Sequence, residues 1–253
     1  MGYCSRSQAA ALVRAGRVTL NGRLVRDPET PVRMEQDQIG VDDSPVEERP
    51  KIYLAMNKPR GVVTTASDEK GRATVYELLG PTVAPVSRPP GKARDTPKPP
   101  LPAGTDWVGP VGRLDKASEG LLLLTNDSKW AAKVTDPDSH LDKRYHVQVD
   151  CVAGNDLLAR IRQGVSVGSE HPSVKAARVL RVGSKNSWLE ISLDEGKNRQ
   201  IRRLLEALGV QVLRLVRVSV GPLELGDLKK GAVRPLTVEE KRAVDQAFDC
   251  DRG

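Results

Sequence analysis

Aromatic side chains are scarce, with one phenylalanine, four tyrosines and three tryptophans in 253 residues. That excludes the multi-aromatic platform with which some sheets read single-stranded RNA, although one tyrosine can still stack on one extruded base. Cysteine is equally sparse. Cys4, Cys151 and Cys250 are odd in number, far apart and without a C-x-x-C pair, which argues against a disulfide framework and a zinc site and leaves reduced, structural thiols. His140, His146 and His171 lack H-E-x-x-H spacing, and no G-x-x-x-x-G-K-[ST] occurs, so neither a metal nor a nucleotide cofactor is expected. No run of about 18 apolar residues is present, and "MGYCSRSQAA" lacks the basic-then-apolar profile of a signal peptide. The expectation is a cytoplasmic chain with no membrane partner.

Positive charge is plentiful. A net charge of +7 and a pI near 9.4 point to a polyanionic partner, of which nucleic acid is the commonest. The first segment opens with a helix-like stretch in which Ala9, Leu12 and Val13 share a face, closed by Gly16. In "RVTLNGRLV", Asn21-Gly22 lies between two β-rich runs and predicts a hairpin, because both residues tolerate positive φ. "QIGVDD" reads as a last short strand and "DSPVEERPK" as a linker. A larger unit starts at "IYLAMNKPRGVVTT", a strand ending at Asn57-Lys58-Pro59. Residues 81–106 form a Pro-rich, basic insertion with little to bury. Beyond it, "GLLLLTN", "RYHVQVD" and "SWLEISLDEG" read as strands, and "DSKWAAKV", "LLARIRQGVSV" and "NRQIRRLLEALG" as helices. Mixing without strict βα repetition predicts an α+β domain.

Three stretches carry candidate chemistry. In "NRQIRRLLEALG", Ile201, Leu204, Leu205 and Leu208 make an apolar stripe, and Arg199, Arg202, Arg203 and Glu206 face the other way. That face is either a solvated surface with an Arg202–Glu206 pair or, with "VLRLVRV" following, part of a phosphate-binding surface. Tyr145 in "KRYHVQV" alternates with Val147 and Val149, which is the placing of a core tyrosine or of a single stacking ring. Asp115 in "GRLDKASEGLLLLTND" can be a turn residue or an exposed partner of Arg113 or Lys116. Set directly against an apolar run, however, an ionised carboxylate needs a cation or it is neutralised. An arginine from a distant segment would keep it anionic, as a carboxylate nucleophile must be.

Taken together, "GRLDKASEGLLLLTND", "KRYHVQV" and "EGKNRQIRRLLEALGVQVLRLVRVSVGPLELGDLKKGAVRPLT" resemble the bacterial ribosomal RNA pseudouridine synthases of the RsuA, RluB and RluE type. "SRSQAAALVRAGRVTLNG" resembles the small RNA-binding domain named after ribosomal small-subunit protein S-four. The resemblance implies an α+β fold: a pseudouridine synthase domain with a mixed, mainly antiparallel sheet flanked by helices, plus a small N-terminal α/β module. On that basis residues 1–43 are the RNA-binding domain without its usual first helix and 44–51 a linker. Residues 52–243 are then the catalytic domain, and 244–253 a tail. Asp115 aligns with the catalytic aspartate, which attacks the uracil ring or the ribose anomeric carbon. Tyr145 aligns with the tyrosine that stacks on the target base and assists proton removal from ring carbon five, and Arg202 with the basic partner of the aspartate. Arg113, Lys197, Arg199 and Gln200 are the implied substrate contacts, and Arg6, Arg14, Arg17 and Asn21 those of the first module. Ser118 stands where many relatives have threonine, with the hydroxyl retained.

The resemblance further implies no cofactor, ribosomal RNA or an assembling ribosomal subunit as partner, and a monomer. Two other classes fit fewer of these residues. A non-catalytic RNA-binding or ribosome-assembly protein would use the basic surface and leave Asp115 as a turn residue. A glycosidase would want two carboxylates around a cleft, and neither Glu119 nor Asp127 shows a partner pattern.

Overall fold

The computed structural model describes residues 2–65, 71–79, 107–167, 171–194 and 199–249. The insertion at 81–106 and Lys197 lie outside them. The first module begins with α1 (Arg6–Arg14), started by a reciprocal cap in which Gln8 N–H donates to Ser5 Oγ at 3.3 Å and Ser5 N–H to Gln8 Oε1 at 3.0 Å. Strands β1 (Val18–Leu20), β2 (Arg23–Val25), β3 (Ile39–Val41) and β4 (Ser44–Pro45) form a sheet in the order β2-β1-β3-β4. Asn21 and Gly22 both have positive φ, 51° and 77°, as the hairpin requires. One difference follows from a second tight turn. Asp42 and Asp43 are also left-handed, at 50° and 61°, and fold Ser44-Pro45 back onto β3, so these two residues are sheet and not linker.

The second sheet contains β5 (Tyr53–Lys58), β6 (Gly109–Val111), β7 (Glu119–Thr125), β8 (Lys143–Val149), β9 (Ala176–Val182), β10 (Ser187–Leu193), β11 (Val212–Val220), β12 (Leu223–Glu224) and β13 (Val233–Pro235). Its order is β13-β5-β7-β11-β8-β10-β9, with β12 on β11 and β6 on β7. Only β7 and β11 run parallel among the described pairs. The mixed, mainly antiparallel α+β architecture is therefore as expected. Helices α2 (Ser128–Thr135), α3 (Asn155–Gln163), α4 (Gln200–Ala207) and α5 (Val238–Asp249) flank the sheet.

Two cores lie on its two faces. Leu122 and Leu124 point into the first, with Leu158 and Ile161 of α3 and Ile201, Leu204 and Leu205 of α4. Leu121 and Leu123 point into the second, with Trp130 of α2 and Val244 of α5. A strand buried on both faces is apolar at every position, which accounts for four consecutive leucines. The tail expected from residue 244 is in fact helix: Val244 is fully buried. Its start was readable, since Thr237 and Glu240 cap one another through Glu240 N–H to Thr237 Oγ1 at 3.1 Å and Thr237 N–H to Glu240 Oε2 at 2.8 Å.

The parallel β7–β11 contact makes Gly120 indispensable. Its φ is +102°, and a Cβ there would sit 2.2 Å from the Arg217 carbonyl oxygen. Gly120→Ala is expected to cost about 3 kcal/mol or more. Gly22→Ala, at φ +77° with nothing within 4 Å of the added carbon, should cost only about 1–2 kcal/mol. Urea unfolding of the two variants checks the contrast.

Candidate active site

The loop joining β6 to β7 carries Asp115 and is held from below by backbone contacts. Lys58 continues the inward alternation of Leu54 and Met56 on β5 and is fully buried. Its Nζ donates to the carbonyls of Pro59 at 3.1 Å, Asp115 at 3.1 Å and Ser118 at 2.9 Å. An ammonium has three protons, so all are used. Burial lowers the Lys58 pKa from 10.5 to about 8, while Asp115 and Glu119 oppose the shift. Gly61 N–H reaches the Lys116 carbonyl at 2.7 Å, and Thr64 Oγ1 the Leu114 carbonyl at 2.8 Å. Ser118 N–H closes the turn on the Asp115 carbonyl at 3.0 Å.

The Asp115 carboxylate projects from this braced turn with 34% of its side chain exposed, and Arg199 Nη1 lies 3.6 Å from it. Arg199 immediately precedes α4 and is left-handed, with φ 51°, a conformation uncommon for a residue with a Cβ. Arg202, the expected partner, binds the turn instead: its Nη2 donates to the Ala117 carbonyl at 3.0 Å and its Nη1 to the Val212 carbonyl at 3.4 Å. Among the described residues the direct ion pair to Asp115 comes from Arg199, and Arg202 feels the carboxylate from farther away. Burial lowers the Arg202 pKa, Arg199 and Arg60 add to this, and Asp115 opposes it. The Arg202–Glu206 pair does not form among the described residues.

Tyr145 is 8% exposed and takes the inward face of β8 with Val147 and Val149, as the alternation predicts. Strand registers set it in a row across the sheet: Lys58 beside Gly120, Gly120 beside Arg217, and Arg217 beside Tyr145. Arg217 is 6% exposed and donates from Nε to the Leu121 carbonyl at 2.7 Å, while its buried Nη2 has no hydrogen-bond partner among the described residues. Two buried cations thus flank a residue without a side chain, next to the tyrosine. The four leucines of β7, by contrast, divide between the two cores.

The remaining predicted residues scatter. Arg113 is exposed beside Asp115 in the chain. Gln200 is 3% exposed and its Nε2 donates to the Ser173 carbonyl at 2.8 Å. In the first module Arg6 and Arg14 are exposed, while Arg17 Nε is held by Asp42 Oδ1 at 2.7 Å. Asn21 is spent on Asp37 and on the Gln38 N–H. No cluster of three His, Cys, Asp or Glu side chains suited to a metal occurs among the described residues, and none of their helices is long and apolar enough to cross a membrane. Sequence reasoning missed Lys58, Arg60 and Arg217. The signal was available for two of them, because Lys58 and Arg217 each fall on the inward parity of an otherwise apolar strand.

A carboxylate paired with Arg199 on a turn braced by Lys58 and Arg202, on a mixed sheet that follows a small RNA-binding-type module in the chain, defines a site suited to acting on a polyanion. The chain belongs to the RNA pseudouridylate synthase family, whose model matches residues 52–207, and an S4 domain matches residues 1–39. It is accordingly an RNA pseudouridine synthase, an isomerase that turns uridine in RNA into pseudouridine. The Ribosomal large subunit pseudouridine synthase B of Bacillus subtilis is 32% identical over 98% of this chain and 93% of its own length. An uncharacterized RNA pseudouridine synthase of Aquifex aeolicus is 35% identical over 94% of this chain and 88% of its own length. A crystal structure of a pseudouridylate synthase, 27% identical, superposes with a TM-score of 0.63 over 95% of this chain and 94% of that one.

Proposed function

We propose that the chain isomerises particular uridines of ribosomal RNA, with Asp115 as the nucleophile acting on a base flipped out of its stack. The observation that carries this is the Asp115 carboxylate itself, half-exposed on a turn fixed by Lys58 and Arg202 and facing Arg199. Unstacking the target base costs roughly a few kcal/mol, which contacts to the flanking phosphates offset. Attack by the carboxylate opens the isomerisation. The N1–C1′ bond breaks with its electron pair going to the ring, and the ring turns against Tyr145. C5 then bonds to C1′, the bond that the carboxylate had made to C1′ or to the ring breaks and frees Asp115, and the C5 proton is lost with Tyr145 assisting while N1 takes up a proton. Arg202 holds the turn in place, Arg199 screens the carboxylate, and Arg113 contacts RNA at the rim. No redox or hydrolytic step is involved, so the reading assigns no cofactor.

The first module, about residues 1–43, carries RNA through Arg6 and Arg14, and the catalytic unit follows a short linker. Ribosomal RNA is favoured by the net charge of +7 and by the printed name of the Bacillus subtilis relative. That substrate places the enzyme in ribosome biogenesis in a bacterial cytoplasm, acting as a monomer on ribosomal RNA or an assembling subunit. Pseudouridine mapping of ribosomal RNA from cells with and without the gene tests the assignment. One site should vanish on deletion and return with the wild-type gene. An unaltered map would remove ribosomal RNA as the substrate.

A further inference from the structure

Among the described residues, the second face of the large sheet is only partly covered. Trp130 and Val134 of α2 and Val244 of α5 pack on Ala55, Leu121 and Leu123 of β5 and β7. On β8, β10, β9 and the start of β11, the side chains of the same face enter neither core. Registers order them in rows. Glu119 stands beside Val216, then His146, Glu190 and Arg178; Arg214 stands beside Gln148 and then Trp188.

Charge is layered on this face. Two sunken carboxylates form the floor, Glu119 at 3% and Glu190 at 12% side-chain exposure. Arg178 Nε meets Glu190 at 2.7 Å and keeps 66% of its side chain exposed. Arg214 grips Glu119 through Nε at 3.1 Å and Nη2 at 3.2 Å, and Lys230 Nζ approaches the same carboxylate at 2.5 Å. Arg214 and Lys230 remain 42% and 56% exposed. The Arg214 guanidinium also lies 5.5 Å over the Trp188 ring. The Arg178 hydrogen bond holds the Glu190 carboxyl below its usual range against burial. Burial pushes Glu119 up, and Arg214 and Lys230 more than reverse it. Arg144 is shared between Glu190 and Glu224, and His146 Nε2 lies 3.3 Å from Glu190. Among the described residues the outward charge fixed by an anion beneath it rests on Arg178, Arg214 and Lys230, and exposed Arg181 stands beside Trp188.

We propose that this face is a second docking surface for the substrate RNA, on which Arg178, Arg214 and Lys230 hold backbone phosphates of the strand flanking the target uridine. Pre-fixed planar guanidinium groups match phosphate geometry and lose little freedom on binding. The surface lies on the sheet face opposite the Tyr145 row and adjoins the active-site arginines at the start of β11. Arg60 and Arg202 reach the Leu213 and Val212 carbonyls at the start of β11, and Arg214 is the next residue along. From β11 to β9 the patch crosses three strand spacings, roughly 14 Å, enough for successive phosphates. The Trp188 ring and its stacked arginine suit nucleic acid better than an acidic protein.

The inference rests on RNA being the substrate and not on the role of Asp115, so RNA binding is measured in the Asp115→Asn background. Dissociation constants for a long ribosomal RNA fragment are followed against salt with and without Arg178→Gln plus Arg214→Gln. Two lost single-strand phosphate contacts should weaken binding about tenfold at low salt and reduce the slope of log Kd against log salt by about 1.4. The paired lysine substitutions, Arg178→Lys and Arg214→Lys, should restore most of the slope. If the double variant melts early, Lys230→Gln alone should reduce the slope by about 0.7. A folded variant with an unchanged slope would overturn the proposal, whether or not the face then binds a protein.

Discussion

Asp115→Asn is expected to lower the isomerisation rate by about 10⁴-fold, the scale on which loss of a reacting group acts. The amide has the same shape, so the turn closed by the Ser118 N–H onto the Asp115 carbonyl and the Lys58 bond to that carbonyl both survive. Binding to RNA should therefore change by no more than about threefold, which is below 1 kcal/mol. Stability should also move little, because the Arg199 pair is partly exposed on both sides and such pairs contribute about 0–1 kcal/mol. The variant has one further consequence. Asp115 raises the Lys58 pKa against burial, so Lys58 in the variant should titrate below about 8. Single-turnover kinetics and equilibrium binding on the same RNA check the first two statements, and NMR titration of the lysine checks the last.

Lys58→Met is expected to reduce activity by about 10²-fold without touching the substrate, since a misplacement of about an ångström has that effect. Three buried or half-buried carbonyls lose their common donor, and stability should fall by about 3 kcal/mol. The same lysine gives the wild type opposite trends in activity and stability with pH. In the folded protein its pKa is lowered from 10.5 to about 8. As pH rises through about 8 the ammonium loses a proton, one carbonyl loses its donor, and activity should decline. Between about 8 and 10.5 the unfolded chain holds more protons at this site than the folded one, so the Lys58 contribution to stability rises with pH. Activity and urea unfolding measured across that window, in wild type and Lys58→Met, should show both trends only in the wild type.

Much of this arrangement can be read in the chain, and the unread parts have physical reasons. β7, β8, β10 and α4 follow directly from apolar periodicity. The ends of α2 and α3 follow from Asp127, whose Oδ1 accepts the Lys129 and Trp130 N–H groups at 3.1 Å, and from Gly164. β9 was missed because it does not alternate: Leu180 and Val182 are 39% and 52% exposed. Lys58 went unassigned because its partners are backbone carbonyls, two of them 57 and 60 residues away, which side-chain motifs do not encode. Which arginine meets Asp115 depends on a left-handed backbone at Arg199, and residue type alone does not announce that conformation.

Pseudouridine formation exchanges the C5 hydrogen of uridine for the bond to C1′, so RNA carrying tritium at C5 reports each turnover as tritiated water. The decisive measurement is tritium release from such ribosomal RNA by purified wild type, Asp115→Asn and Lys58→Met. Stoichiometric release by the wild type, slow release by Lys58→Met and none above background by Asp115→Asn, with RNA binding retained, is the expected result. Release by Asp115→Asn at the wild-type rate would contradict the account.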